Sequence, residues 1–355
     1  MRCLDLILSN KKWGSVRKIR FKSQIASLIK FASVHDGSHL MDSDIKQIIE
    51  ENRAQRETIR MQITQTGWRR ALEQYGDQYS KTYSPLVQDT IAFAKGTSIF
   101  SILNGQIKCS EESKIFSKRL SEKLEELDKI LLPLVLDSKY KAYVCFLANL
   151  QRLGGILSIP QRYRKRTVAS GMREFLNSEG FATDIASFFT IRDLLYDFGL
   201  VNWRIMPTDS IEEIYLAGQL VDKGTKPEMS YLDKVHLDQC DLFYNKRITS
   251  TTFIDTLEKH YLSLSGNDFG VIVDLLELRD LVCQELRLSD TQFNRKLLEV
   301  YKDKRIPLDI ELSQGRISPR RSSGLLIKAV NVIEIDKAVF ATYIRLRRRN
   351  QQYAN

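Results

Sequence analysis

Three residues, Arg287-Leu288-Ser289, separate two stretches of helical periodicity, and they restrict the fold more tightly than anything else in the chain. The stretch Asn267–Leu286 places apolar residues at Val271, Val273, Leu275, Leu278, Leu281 and Val282, a spacing that predicts an amphipathic helix. Beyond the gap, Asp290–Tyr301 reads as a second helix with Ser289 as its cap, because a serine hydroxyl accepts a backbone N–H that the first turn leaves without a partner. Phe293, Leu297, Leu298 and Val300 give this helix an inner side. Gln292, Asn294, Arg295, Lys296 and Glu299 are then expected mostly outside.

The residues that follow sharpen the pattern. Arg305–Leu312 and Gly324–Val330 are predicted as β-strands, joined by Ser313–Ser323. That connector carries Arg316, Arg320 and Arg321 and no acid, an arrangement that gives a hairpin tip no structural advantage. A helix, a tight turn, a short helix with an amide- and base-rich face, and a basic strand connector together resemble a winged helix-turn-helix domain. The recognition helix would be Asp290–Tyr301 and the wing Ser313–Ser323. The resemblance implies nucleic-acid binding as the commonest role and protein–protein contact as a second one. Gln292, Asn294, Arg295 and Lys296 would face the major groove, since amides pair with adenine and guanidiniums with guanine. Arg316, Arg320 and Arg321 would contact phosphates or a minor groove.

Upstream the same order of elements recurs more loosely. Tyr83–Lys95 has helical spacing, with Pro85 placed for a first turn. Ser98–Leu103 and Gln106–Cys109 flank Asn104-Gly105, a pair that tolerates the positive φ of a tight hairpin, and Ser110 caps the helix after it. Thr183–Phe198 reads as a helix ended by Gly199, and Leu200–Met206 and Ile211–Leu216 as strands about the turn Pro207–Ser210. Breaks near Leu136 and in Asp222–Ser230 divide the chain into residues 1–136, 137–226 and 227–355. The expected fold class is mainly α with short β-hairpins (α+β), built as tandem winged-helix-like domains.

Charge points to the partner. The 355 residues hold 54 Lys+Arg against 44 Asp+Glu, a formal charge of +10. The excess is concentrated in acid-free runs: residues 11–22, including Lys18 and Arg20; residues 162–166, with Arg162, Arg164, Lys165 and Arg166; the connector 313–323; and Arg345–Arg349. A solvated basic face explains any one of these runs, whereas several together suit a polyanion. No apolar run reaches the ~20 residues of a membrane span. Five widely spaced cysteines without a CxxC exclude a disulfide framework and fit a reducing compartment, so a cytoplasmic or nucleoid-associated protein is expected.

Motifs that would carry catalysis are missing: no GxSxG, HExxH, Walker A or GxGxxG occurs. His35 and His39 stand four apart, but Gly37 and Ser38 between them argue against a helical metal pair. Asp309, Glu311, Glu334, Asp336 and Lys337 do not match the spacing of a carboxylate–carboxylate–x–lysine nuclease site, and Glu212 and Glu213 read as a turn cluster. The expectation is therefore a non-enzymatic protein that binds double-stranded DNA, without cofactor, metal or membrane. A metal-dependent DNA endonuclease of the restriction or mobile-element type is the first alternative, and a subunit with protein partners the second.

Overall fold

The computed structural model describes residues 3–9, 32–39, 96–103, 106–118, 124–138, 141–160, 169–205, 212–303, 305–313, 333–336 and 339–349, with Trp13, Lys22, Ile25, Ile29 and Phe93 as single positions. Across these residues short helices alternate with small antiparallel sheets, a mixed α+β architecture. Helix α1 (Cys3–Leu8) is followed by the hairpin β1 (Phe100–Leu103) and β2 (Gln106–Cys109), then by α2 (Glu111–Lys118) and α3 (Leu124–Leu136). Leu103 pairs with Gln106, which leaves Asn104-Gly105 between the strands as expected. Ser110 Oγ accepts the Ser113 N–H at 3.1 Å, the expected cap of α2.

From residue 142 onward one order of elements occurs twice. It runs first through α4 (Ala142–Arg152), β3 (Ile156–Ile159), α5 (Ala169–Ser178), α6 (Ile185–Asp197), β4 (Val201–Ile205) and β5 (Glu212–Leu216). A separate sheet follows, made of β6 (Gln219–Val221), β7 (Tyr231–His236) and β8 (Asp241–Lys246). The order then returns in α7 (Ser250–Ser265), β9 (Val273–Asp274), α8 (Leu275–Leu286), α9 (Asp290–Lys302) and β10 (Leu308–Ser313), and it closes, after β11 (Ile333–Asp336) and β12 (Val339–Ala341), with β13 (Tyr343–Arg348). The sheet orders are β3-β5-β4 and β10-β13-β9, so in both units the last strand is central and antiparallel to its two neighbours. A central strand buries one face and satisfies both edges, and Ile344 and Leu346 of β13 are accordingly fully buried.

Local chemistry sets the helix boundaries. Asp184, Asp274 and Ser289 cap α6, α8 and α9 by accepting backbone N–H groups of Ser187, of Leu276 with Glu277, and of Gln292 respectively. Gly199, just past α6, has φ +71°, a left-handed conformation that side chains other than glycine resist.

Several expectations are corrected. The helix read over Asn267–Leu286 begins only at Leu275: Asn267 and Gly270 have φ of +67° and +90°, Val273 is in β9, and Asp274 is the cap. The antiparallel partner of β10 is β13, whose alternation of Ile344 and Leu346 inward with arginines outward is that of a half-buried strand. The strand expected at residues 324–330, and most of the helix expected at 83–95, lie outside the described residues. The loop Asp222–Ser230 joins β6 to β7, two strands of one three-stranded sheet.

Among the described residues, apolar side chains gather into two clusters. One runs from Ile7 to Tyr244, with Phe146, Phe181, Phe188 and Trp203 among its largest members. The other joins α7, α8, α9 and the sheet of β10 and β13 through Phe253, Tyr261, Leu278, Phe293, Leu297, Ile344 and Leu346. Tyr215 of β5 and, at its edge, Ile156 of β3 belong to this second cluster, so the two units share packing.

Candidate nucleic-acid interface

Helix α9 is set by the turn Arg287–Ser289 and by what lies on each side of it. Arg287 adopts φ +56°, and its guanidinium donates to the Gly155 carbonyl at 2.9 Å while lying 5.9 Å from the Tyr215 ring centroid. The residue that ends α8 is therefore fastened to the preceding unit. Lys246 Nζ donates to the Leu286 carbonyl at 3.2 Å, and Asn202 Nδ2 to the Leu288 carbonyl at 3.0 Å.

At the first position of α9, Asp290 is fully buried. Its Oδ1 accepts from Asn202 Nδ2 at 2.7 Å, its Oδ2 accepts from the Tyr196 hydroxyl at 2.7 Å, and Arg279 Nη2 lies 3.0 Å from Oδ2. Arg279 is only 1% exposed. Burial alone would lower its pKa, but the Asp290 carboxylate holds it above the ordinary guanidinium value. A buried charge is tolerated when it is paired and hydrogen-bonded, and here both conditions are met.

This packing decides which side chains of α9 reach solvent. Gln292 and Asn294, expected to face a groove, are buried. Gln292 Nε2 donates to the Lys246 carbonyl, and Asn294 Oδ1 accepts from Arg279 Nη1 at 3.3 Å. Both amides face the interior, because α7 and α8 pack along α9 and the Lys246 carbonyl of β8 meets its first turn. Lys296 is half-buried and forms an ion pair with Glu299 at 2.7 Å. Arg295 is exposed, as expected. It shares an open face with half-buried Thr291 and with exposed Glu299 and Lys302, residues spaced so that they lie along one side of a helix. The N-terminal end of that face opens into a cleft of about 200 Å³, where Thr291 and Arg295 meet Lys22, Lys129, Asp233 and Asn245. Ion pairs Lys22–Asp128 and Lys129–Asp233, both at 3.1 Å, line it.

Of the remaining expected contacts, Lys18, Arg20, Arg162, Arg164, Lys165, Arg166, Arg316, Arg320 and Arg321 lie outside the described residues. The basic run Arg345–Arg349 is described, and its charge is largely matched. Arg345 and Arg347 approach Glu311 at 3.0 and 3.7 Å, Arg349 approaches Asp309 at 3.9 Å, and Arg348 lies over the Phe269 ring. The antiparallel register brings Glu311 opposite Arg345 and Asp309 opposite Arg347, so the two carboxylates weighed above as metal ligands are cross-strand partners of arginines.

The equivalent helix of the preceding unit offers no such face. In α6 the residues from Ser187 to Tyr196 are buried except half-buried Phe189, and the charged pair Arg192 and Asp193 is buried with them. Glu212, read as part of a turn, opens β5 and is 2% exposed. It takes Arg192 Nη1, whose guanidinium also bonds Asp193 and lies 4.4 Å from the Trp203 ring centroid. Sequence reasoning missed Tyr196, Asn202, Arg279 and Asp290. An aspartate beside a serine cap reads as an acid placed for the helix dipole, and no local spacing connects it to partners 94 and 88 residues away.

Near the hairpin of β1 and β2, Asp36 accepts the Cys109 N–H at 2.9 Å and Gly37 has φ +85°, so His35 and His39 flank a turn and not a helix. Among the described residues no three His, Cys, Asp or Glu side chains gather as a metal site, and no helix is long and apolar enough to cross a membrane. No family model, no curated protein and no solved structure matches the chain.

Proposed function

We propose that this chain binds double-stranded DNA through tandem winged-helix units, with α9 of the second unit as the reading helix. The observation that carries the reading is the element order of α7, β9, α8, α9, β10 and β13 with β13 central, which is the order a winged helix-turn-helix requires. The same order from α4 to β5 supports the tandem arrangement. The groove-facing set differs from the one drawn from sequence: Arg295 stays, Thr291, Glu299 and Lys302 join it, and buried Gln292 and Asn294 and the half-buried Lys296, paired with Glu299, leave it. Arg316, Arg320 and Arg321 keep the role of wing contacts, and the basic runs at residues 11–22 and 162–166 that of contacts to the phosphate backbone.

Salt dependence tests this. Affinity for a duplex should fall with salt by about 0.9 log units per log unit for each phosphate neutralised. Arg316→Ala, Arg320→Ala and Arg321→Ala combined should flatten that slope, and Arg295→Ala should weaken binding with no loss of fold by circular dichroism. No binding at low salt, or slopes and affinities untouched by these changes, would end the reading.

A further inference from the structure

Two units with one order of elements invite the expectation of two reading heads, yet only the second exposes a face of its third helix. We infer that the first unit is instead the mount of the reading helix, with Tyr196 and Asn202 as its positioning residues. The inference rests on the reading of α9 as the element that enters the groove.

Polar contacts from the first unit and from the adjoining strand β8 converge on one short segment, and Gln284 of α8 donates to Glu213 of β5 beside it. Arg287 is held by Gly155, Leu286 by Lys246, Leu288 and Asp290 by Asn202, Asp290 by Tyr196, and Gln292 by Lys246. All of these partners precede α7, and the residues held run from Leu286, the last residue of α8, through the turn into the first turn of α9. Gly199 completes the seat: a Cβ built there would stand 3.2 Å from Cβ and Oγ of Ser289. Asp290 is also the residue on which Arg279 of α8 closes, so a single carboxylate ties the angle between α8 and α9 to the C-terminal end of α6 and to β4. Hydrogen bonds are directional, and these fix the rotation of α9 about its own axis as well as its position. The rotation sets which of Thr291, Arg295, Glu299 and Lys302 points at a base edge, whereas phosphate contacts tolerate a small turn.

Tyr196→Phe removes one hydroxyl and leaves the Arg279–Asp290 pair intact; Asn202→Ala is the second variant. Full-length proteins are compared by hydrogen exchange and by affinity for two duplexes, one recovered by selection from a randomised pool and one of shuffled sequence. The expected result is faster exchange in the first turn of α9 and a roughly tenfold lower ratio of selected to shuffled affinity, with the salt slope unchanged. A lower melting temperature with the ratio unaltered would make these residues merely structural and overturn the positioning role. Exchange unchanged in both variants would overturn the mount itself. Recovery of no preferred duplex by the wild-type protein would instead overturn the reading of α9, and the positioning role with it.

Discussion

In Arg279 and Asp290 a buried ion pair joins α8 to the start of α9. A guanidinium 1% exposed and a carboxylate with no exposure are costly to desolvate, and each is tolerable only because the other is present. Asp290→Ala should therefore destabilise by about 3–5 kcal/mol in urea unfolding, chiefly through the uncompensated arginine. Arg279→Met combined with Asp290→Leu should recover part of that loss and not all of it, because Tyr196 and Asn202 lose their acceptor. His260 gives a second test at this scale. Burial, opposed by Glu285, brings its pKa below 6.5. As pH falls through 6.5 the unfolded chain takes up a proton before the folded one, so stability declines over that window. His260→Gln should flatten the decline in a melting-temperature profile against pH; an unchanged profile would assign it to other groups.

Among the elements, the strands and helices were legible in proportion to how local their signals are. The hairpin at Asn104-Gly105, the serine cap of α9, the glycine after α6 and the strand pair β4 and β5 all follow from residues within a few positions of one another. The register of β10 was not legible, because its partner follows an intervening hairpin and two apolar runs compete for the place. Nor was the outer face of α9, since periodicity separates one core-facing stripe from the rest and cannot reveal a second surface that covers a polar flank. Gly199 shows how a local signal acquires a tertiary role. Gly199→Ala must adopt φ +71° and press on Ser289, so a loss of about 1–3 kcal/mol in the urea midpoint is expected. A neutral outcome would mean that the seat of α9 yields.

At the scale of the molecule, the two apolar clusters are distinct but not independent. Tyr215 stays paired in β5 while its side chain joins the cluster that holds Phe253 and Phe293, and the buried hydrogen bonds of Asp290 cross between the units. The described units should therefore unfold together, and calorimetry should show one transition spanning both, with van't Hoff and calorimetric enthalpies in agreement. Two resolved peaks would mean that the shared contacts are too weak to couple them. The alternation of helix and strand, the caps, the hairpin turns and the positive charge were determined by the sequence alone, since each depends on neighbours a few residues apart or on a simple sum. Which polar residues of α9 face solvent, and which unit carries an open helix, were decided only by tertiary structure, because a buried ion pair and its partners are chosen by surfaces that meet after distant segments have folded against each other.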